Sequence, residues 1–303
     1  MLNGFSIKQF LYALNQEISD DNVYNGAAVL GYYLTLAIFP AIILLMTIIP
    51  YLPIDRVDEA IMDMLGQALP AEAFDMVAGI VTEVTQEQRG GLLSFSLLAT
   101  LWAASTGMYA IMQQLNITYG VEEARGFVRA RATAIILSLL FGLLVLGAFS
   151  LIVLGGVIQD WLGIRLGFSD ALVMVFAAFR WVVIVLALLL GFAMIYRYAP
   201  NVEQKFALIT PGSVLGVTLL IIASLGFSIY TSNFANYSAT YGSIGAMVIL
   251  MLWLYIAGLV ILIGSEINAL VEHNSPEGKR KGQKRESRHA GDDPQQDDPG
   301  ATR

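Results

Sequence analysis

Apolar residues gather into six long runs, at about 25–50, 92–115, 132–158, 171–196, 212–230 and 244–270, with polar stretches between them. About 20 helical residues cross the roughly 30 Å of hydrocarbon in a bilayer, so each run is long enough to span it. Lipid cannot satisfy backbone N–H and C=O groups, which leaves helices or closed barrels. Barrel strands alternate apolar and polar positions, and these runs do not. The pattern predicts an all-α polytopic membrane protein with six transmembrane helices. Pro40 lies inside the first run. Its missing N–H predicts a kink or a local opening near mid-membrane.

The polar stretches carry their own periodicity. Ile7, Phe10, Leu11, Leu14 and Ile18 fall at helical spacing, and Ser6 with Gln9 makes a capping-box pattern. Residues 1–24 read as an amphipathic segment with a short helix on the membrane surface. They lack the basic cluster and cleavage site of a signal peptide. An insertion at about 54–91 shows two more stripes: Val57, Ile61, Met64 and Leu65, then Phe74, Val77, Ile80, Val81 and Val84, split by Leu69-Pro70. They predict two short amphipathic helices that lie on the outer surface or fold over the bundle. The stretch 230–243 reads as an uncharged outer linker. It carries Tyr230, Phe234, Tyr237 and Tyr241, the chemistry of an interfacial aromatic belt.

Charge fixes the expected orientation. Lys8, Arg125, Arg129, Arg131, Arg197 and Lys205 fall on one side of the six spans, with seven more basic residues in the tail; Arg56, Arg89 and Arg165 fall on the other. The positive-inside rule then puts both termini in the cytoplasm. The organisation expected is a cytoplasmic amphipathic segment (1–24), a transmembrane domain (25–271) and a disordered cytoplasmic tail (272–303). The tail segregates its charge, with six basic residues and one acid in 279–288 and four Asp in 292–298. Such composition cannot bury a core. Its basic run serves topology, or lies on anionic lipid.

Composition agrees and excludes much. Of 303 residues, 56% are hydrophobic and only 14% charged, where a soluble domain carries about 25% charged residues. The net charge of −7 is local in origin, because 55–89 alone holds eight acids and two bases. There is no Cys, and the two His, His273 and His289, lie towards the C-terminus. Thiolate chemistry, a His-based metal cluster and a Ser-His-Asp triad inside the fold have no material. Walker A, dinucleotide, HExxH and G-x-S-x-G patterns are missing from the sequence. No cofactor, no metal, no nucleic-acid partner and no enzyme activity are expected.

A few polar residues inside the runs are the candidate chemistry. Arg180 lies about nine residues into the fourth run, roughly 13 Å below its outer boundary at 1.5 Å per residue. An Arg near a helix centre costs on the order of 2.5–3.5 kcal/mol to insert. Three readings stay open: snorkelling outwards, hydrogen bonding to helix carbonyls, or a cationic site in a polar cavity for a phosphate headgroup or another anion. Asn25 and Tyr32 of the first run join it as candidate lipid contacts. Glu266 and Asn268 close the last run. The helix dipole disfavours a carboxylate there, so Glu266 calls for a partner among Arg197, Arg125, Arg129 and Arg131. It is an interfacial ion pair or a gating, proton-coupled group, and with Asn268 and Pro40 it makes the candidate gating set. The spacings Gly212-xxx-Gly216 and Ala103-xxx-Gly107 permit close helix approach, expected within one subunit.

The stretch from Asn25-Gly-Ala-Ala-Val-Leu-Gly-Tyr-Tyr to Ile38-Phe-Pro40 resembles the first-span signature of the YihY/BrkB family of bacterial inner-membrane proteins. So do Tyr196-Arg-Tyr-Ala-Pro-Asn201 with Pro211-Gly212, Tyr241-Gly-Ser-Ile-Gly245, and Trp253-Leu-Tyr255 running into Gly264-Ser-Glu-Ile-Asn268. Order and spacing agree over roughly residues 8–272. Ser265 departs mildly from the family's usual small residue before the Glu. The resemblance implies six spans in a bacterial cytoplasmic membrane. It supplies no catalytic residues, and the ribonuclease label that members have carried is regarded as a misassignment. It suggests an envelope role, with links to lipopolysaccharide or phospholipid traffic.

The function expected is transport or flipping of an anionic envelope lipid or similar amphiphile, with anionic membrane lipids as partners. The alternative is a non-transporting envelope scaffold. On either reading the 54–91 insertion is a candidate docking surface for a periplasmic partner.

Overall fold

A computed structural model describes residues 6–48, 90–166, 169–202, 208–232 and 235–274. Within them the chain forms seven helices: α1 (Ile7–Asp20), α2 (Val23–Ile48), α3 (Gly90–Thr118), α4 (Phe127–Leu166), α5 (Asp170–Tyr198), α6 (Pro211–Ser232) and α7 (Ala235–His273). Six of them, α2 to α7, are long and apolar enough to cross a membrane. The two helices expected between 57 and 84, Asn233, and the tail beyond Asn274 lie outside the described residues.

α1 begins as its sequence pattern predicts. The Ser6 hydroxyl accepts from the Gln9 N–H and the Gln9 side chain accepts from the Ser6 N–H, a complete capping box. Asn22, at φ 51°, makes the turn into α2, a conformation that Asn tolerates better than most residues. α1 packs on α7 and α2. Its Ile18 reaches the core, while Ile7, Leu11 and Tyr12 stay uncovered by protein.

Successive spans pack on one another, and α7 returns to pack on α2, so the six spans close a ring in chain order. α3 and α7 also touch across it. The core lies towards the end where α2, α4 and α6 begin, here called the basic end. It gathers Val23, Ala27 and Leu30 of α2, Met108–Leu115 of α3, Ala134 and Leu137 of α4, Phe192–Tyr196 of α5, Val217 of α6 and Val260–Leu262 of α7. Towards the other end α2 and α3 stay packed, with Thr47 and Ser96 buried. Away from the basic end, the described portions of α4, α5 and α6 bury no residue beyond Leu137, Ile184 and Val217 respectively.

Two boundaries differ from the sequence expectation. The outer linker at 230–243 is mostly helix, because α6 runs to Ser232 and α7 starts at Ala235. α4 continues to Leu166 and, at 40 residues, is about 60 Å long. Hydropathy marks the part of a helix that lies in hydrocarbon, and says nothing about how far the helix continues into the interface. At Pro40 the helical assignment of α2 is unbroken.

Candidate functional site

Polar residues at the basic end are locked to one another. α3 stops at Gly120, whose φ of 63° is the left-handed conformation of a helix C-cap. The Gly120 N–H donates to the Ile117 carbonyl at 2.8 Å and the Val121 N–H to the Asn116 carbonyl at 2.9 Å, the Schellman pattern. This turn presents the buried Asn116 side chain to two partners. Its Oδ1 accepts from the Asn201 N–H at 2.6 Å, and its Nδ2 donates to Glu123 Oε2 at 3.1 Å. The Asn201 amide donates to the Glu122 carbonyl at 2.9 Å.

Arg125 completes the clasp. Its Nε and Nη2 donate to the two carboxylate oxygens of Glu123 at 2.8 and 2.7 Å. Nη2 also reaches the Ala199 carbonyl at 2.7 Å and Nη1 the Tyr198 carbonyl at 3.3 Å. Those carbonyls end α5 and have no partner within the helix. Burial pushes the Glu123 carboxyl up, but hydrogen bonds and charge from Arg125, helped by Asn116, more than offset it, and its pKa falls below the usual carboxylate value.

A second seam joins α6, α7 and α5. Pro211 starts α6, and the next N–H, that of Gly212, donates to Asn268 Oδ1 at 2.8 Å. Asn268 therefore caps the start of α6. Gly212 and Gly264 let two backbones meet: a Cβ on Gly212 would overlap the Gly264 carbonyl oxygen, and one on Gly264 would overlap the Tyr196 hydroxyl. Gly216 lies against Phe192 and Tyr196, so the small-residue spacing serves packing inside the subunit, as expected. The Tyr196 hydroxyl donates to the Ile261 carbonyl at 3.0 Å, and the Thr118 and Ser265 hydroxyls share a hydrogen bond of 2.6 Å between α3 and α7.

Glu266 is buried in this seam, 1% exposed. Its carboxylate gathers with those of Glu17 in α1 and Asp21 at the C-cap of α1, with oxygens within 4.8 Å of one another. A hard divalent ion takes such oxygen ligands. Of the arginines expected to pair with Glu266, Arg125 is engaged by Glu123, while Arg131 donates to the Thr106 hydroxyl at 2.8 Å and lies 4.1 Å from the Trp102 ring centroid.

Arg180 stands apart from these networks. It lies on the half of α5 away from the basic end, one turn beyond the buried Ile184, and is itself half-buried. Its Nε and Nη1 are covered, yet among the described residues neither has a hydrogen-bond partner. Its guanidinium carbon is 5.8 Å from the Trp181 ring centroid, near the limit for attraction to the ring face. Asn25 and Tyr32 are exposed on α2. α2 packs on α3 and α7, whereas α5 packs on α4 and α6, so the ring separates these two residues from Arg180. Asn116 and Glu123 went unnoticed in the sequence, and Asn201 was marked there only as part of a motif. A polar Asn four residues before the glycine that ends a span was the available signal.

The comparisons with known proteins concern this whole arrangement. A family model described as virulence factor BrkB matches residues 14–289. A ribonuclease-like protein named YfkH from Bacillus subtilis (strain 168) is 42% identical over 245 residues, covering 81% of this chain and 88% of that protein. The UPF0761 membrane protein PBPRA3489 of Photobacterium profundum is 25% identical over 264 residues, 86% of this chain and 80% of that one. PSHAa0171, a UPF0761 membrane protein of Pseudoalteromonas translucida (strain TAC 125), is 34% identical over 89 residues, 29% of each chain. No solved structure matches.

Proposed function

The chain belongs to the virulence factor BrkB family of membrane proteins, and from that premise we propose that it moves an anionic envelope lipid, or a similar amphiphile, across the membrane. The observation that carries this reading is Arg180. A guanidinium with two covered nitrogens and no partner among the described residues is costly inside a span. A phosphate oxygen satisfies such a group with short, charge-assisted bonds. The position is suited to that use, because the described outer portions of α4, α5 and α6 lack buried side chains while the basic end is closed. Apolar walls around one cation suit a lipid, whose chains stay in hydrocarbon while its headgroup is neutralised.

On this reading Arg180 receives the headgroup from the outer half of the bundle. Pro40 leaves the Leu36 carbonyl without its helical donor, a soft point on the α2 wall. Asn25 and Tyr32 line the exposed face of that wall. Glu266 latches the closed end, where its carboxylate gathers with those of Glu17 and Asp21. Both termini lie in the cytoplasm, the membrane is the bacterial cytoplasmic membrane, and the chain is not an enzyme.

The test is reconstitution of the purified protein into phospholipid vesicles with headgroup-labelled phosphatidylglycerol, comparing wild type, Arg180→Ala and a deletion of 55–90. Loss of lipid movement in Arg180→Ala, with normal membrane insertion, supports the reading. Full movement in Arg180→Ala removes Arg180 from the mechanism. No lipid movement by wild type, together with a cellular function that survives Arg180→Ala but not the deletion, favours the scaffold alternative.

A further inference from the structure

A separate charged recess lies at the basic end, away from Arg180. It is open, has a volume of about 410 Å³, and is lined by Ala124, Arg125, Gly126, Arg129, Arg197, Tyr198, Pro200, Asn201 and Val202. Three arginines therefore line one cavity. Glu123 neutralises Arg125 through two hydrogen bonds, which leaves Arg129 and Arg197 as the net positive charge of the lining. Arg197 is half-buried, and its Nε is covered from solvent with no hydrogen-bond partner among the described residues. Its guanidinium carbon lies 5.3 Å from the Tyr198 ring centroid.

The backbone adds to the same potential. The recess is bordered by the residues that lead into α4, and the first N–H groups of a helix have no partner within it. The helix dipole makes that end positive. Two arginines and a helix start suit a compact, multiply charged anion better than a carboxylate, and phosphate oxygens match arginine's donor fork. The neighbouring apolar surface points to where the anion comes from. Phe127 and Val128, on the first turn of α4, are 78% and 80% exposed. At a membrane interface such side chains insert among acyl chains.

We propose that this recess binds the phosphate of an anionic lipid headgroup, held by Arg129 and Arg197, with the lipid's chains along Phe127 and Val128. The site serves as a fixed lipid anchor at the basic end, whether or not the bundle moves lipid past Arg180. Arg125 holds the frame through Glu123 and the α5 carbonyls. Arg129 and Arg197 meet the ligand.

The experiment is thermal melting of the full chain, purified in a neutral detergent at constant ionic strength, with dihexanoyl phosphatidic acid, dihexanoyl phosphatidylcholine or sodium phosphate. Phosphatidic acid is expected to raise the melting temperature of wild type, and phosphatidylcholine to do so much less. Losing a charge-assisted hydrogen bond weakens binding by about tenfold or more, so Arg129→Gln and Arg197→Gln should each shift the half-saturating phosphatidic acid concentration up by at least that factor. Arg129 is exposed, so its variant remains a test if Arg197→Gln does not fold. Stabilisation by phosphatidic acid that exceeds that by phosphate, and depends on these arginines, assigns a lipid. Equal, arginine-dependent stabilisation by both retains the phosphate site but overturns its assignment to lipid. Stabilisation by phosphatidic acid that is equal in wild type and both variants overturns the site. Lipid movement is not read in this assay, so failure of the transport reading leaves the result intact.

Discussion

Replacing Gly212 by Ala tests the ring at its tightest point. The new methyl would overlap the Gly264 carbonyl oxygen and the Asn268 side chain. The first is backbone, so no rotamer change relieves the clash, and α6 and α7 must part. Overpacking of this kind costs about 1–3 kcal/mol. Parting also breaks the 2.8 Å hydrogen bond from the Gly212 N–H to Asn268, worth about 0.6–2 kcal/mol between membrane helices. Together the loss is about 2–5 kcal/mol. On the scaling of soluble domains this corresponds to a fall in Tm of roughly 4–20 °C. Gly226→Ala is the control in the same helix, since a methyl there meets nothing within 4 Å. The assay is thermal melting of the purified variants in one detergent, read by intrinsic fluorescence and by retention of the monodisperse peak. Gly226→Ala should melt with wild type or slightly above it. A Gly212→Ala protein that melts with wild type would show that α6 and α7 do not meet backbone to backbone, and the closed ring would be wrong.

Three further outcomes are expected. Asn116→Leu leaves the Asn201 N–H without its acceptor and removes one of the two donors to Glu123 Oε2, and should cost about 1–3 kcal/mol, read as a lower Tm in the same detergent. The pKa of Glu123 is lowered in the folded protein, so its stabilisation is fully present above the ordinary carboxylate value of 4.5 and fades as pH falls through the lowered folded value. The Tm gap between wild type and Glu123→Gln should therefore be widest at neutral pH and close in that acidic range; a gap that widens on acidification contradicts the assignment. Arg180→Ala should melt no lower than wild type, because the side chain gives up no hydrogen bond among the described residues, and a large fall in Tm would mark Arg180 as structural.

Much of the fold was legible because a bilayer leaves few choices. Runs of about 20 apolar residues must be helices, and six such runs give the six spans. Ser6 and Gln9 fixed the start of α1 because capping is local chemistry. The helix ends were not legible in the same way. Tyr237 and Tyr241 lie in α7 although they are not hydrophobic enough to prolong a run, and whether a polar residue continues a helix depends on what packs beside it. The basic-end network escaped for a different reason. Asn116, Glu123 and Asn201 meet only after α3, α4 and α5 have packed, and no spacing in the sequence encodes that meeting. Glu266 shows the middle case. Its position at a helix C-terminus marked it as a group of interest, while the gathering with Glu17 and Asp21 came from the way α1 lies across α7. Arg180 was visible from charge alone, and its isolation from partners was not.

The most direct measurement of the central claim is leaflet exchange in unilamellar vesicles. Phosphatidylcholine vesicles carry trace phosphatidylglycerol with a headgroup fluorophore in both leaflets, and a membrane-impermeant reductant is added outside. With wild-type protein reconstituted, the inner-leaflet label should become reducible over time, and with Arg180→Ala only the outer-leaflet label should be lost. Bleaching by wild-type vesicles that stops where protein-free vesicles stop would contradict the account of this chain as a mover of anionic lipid.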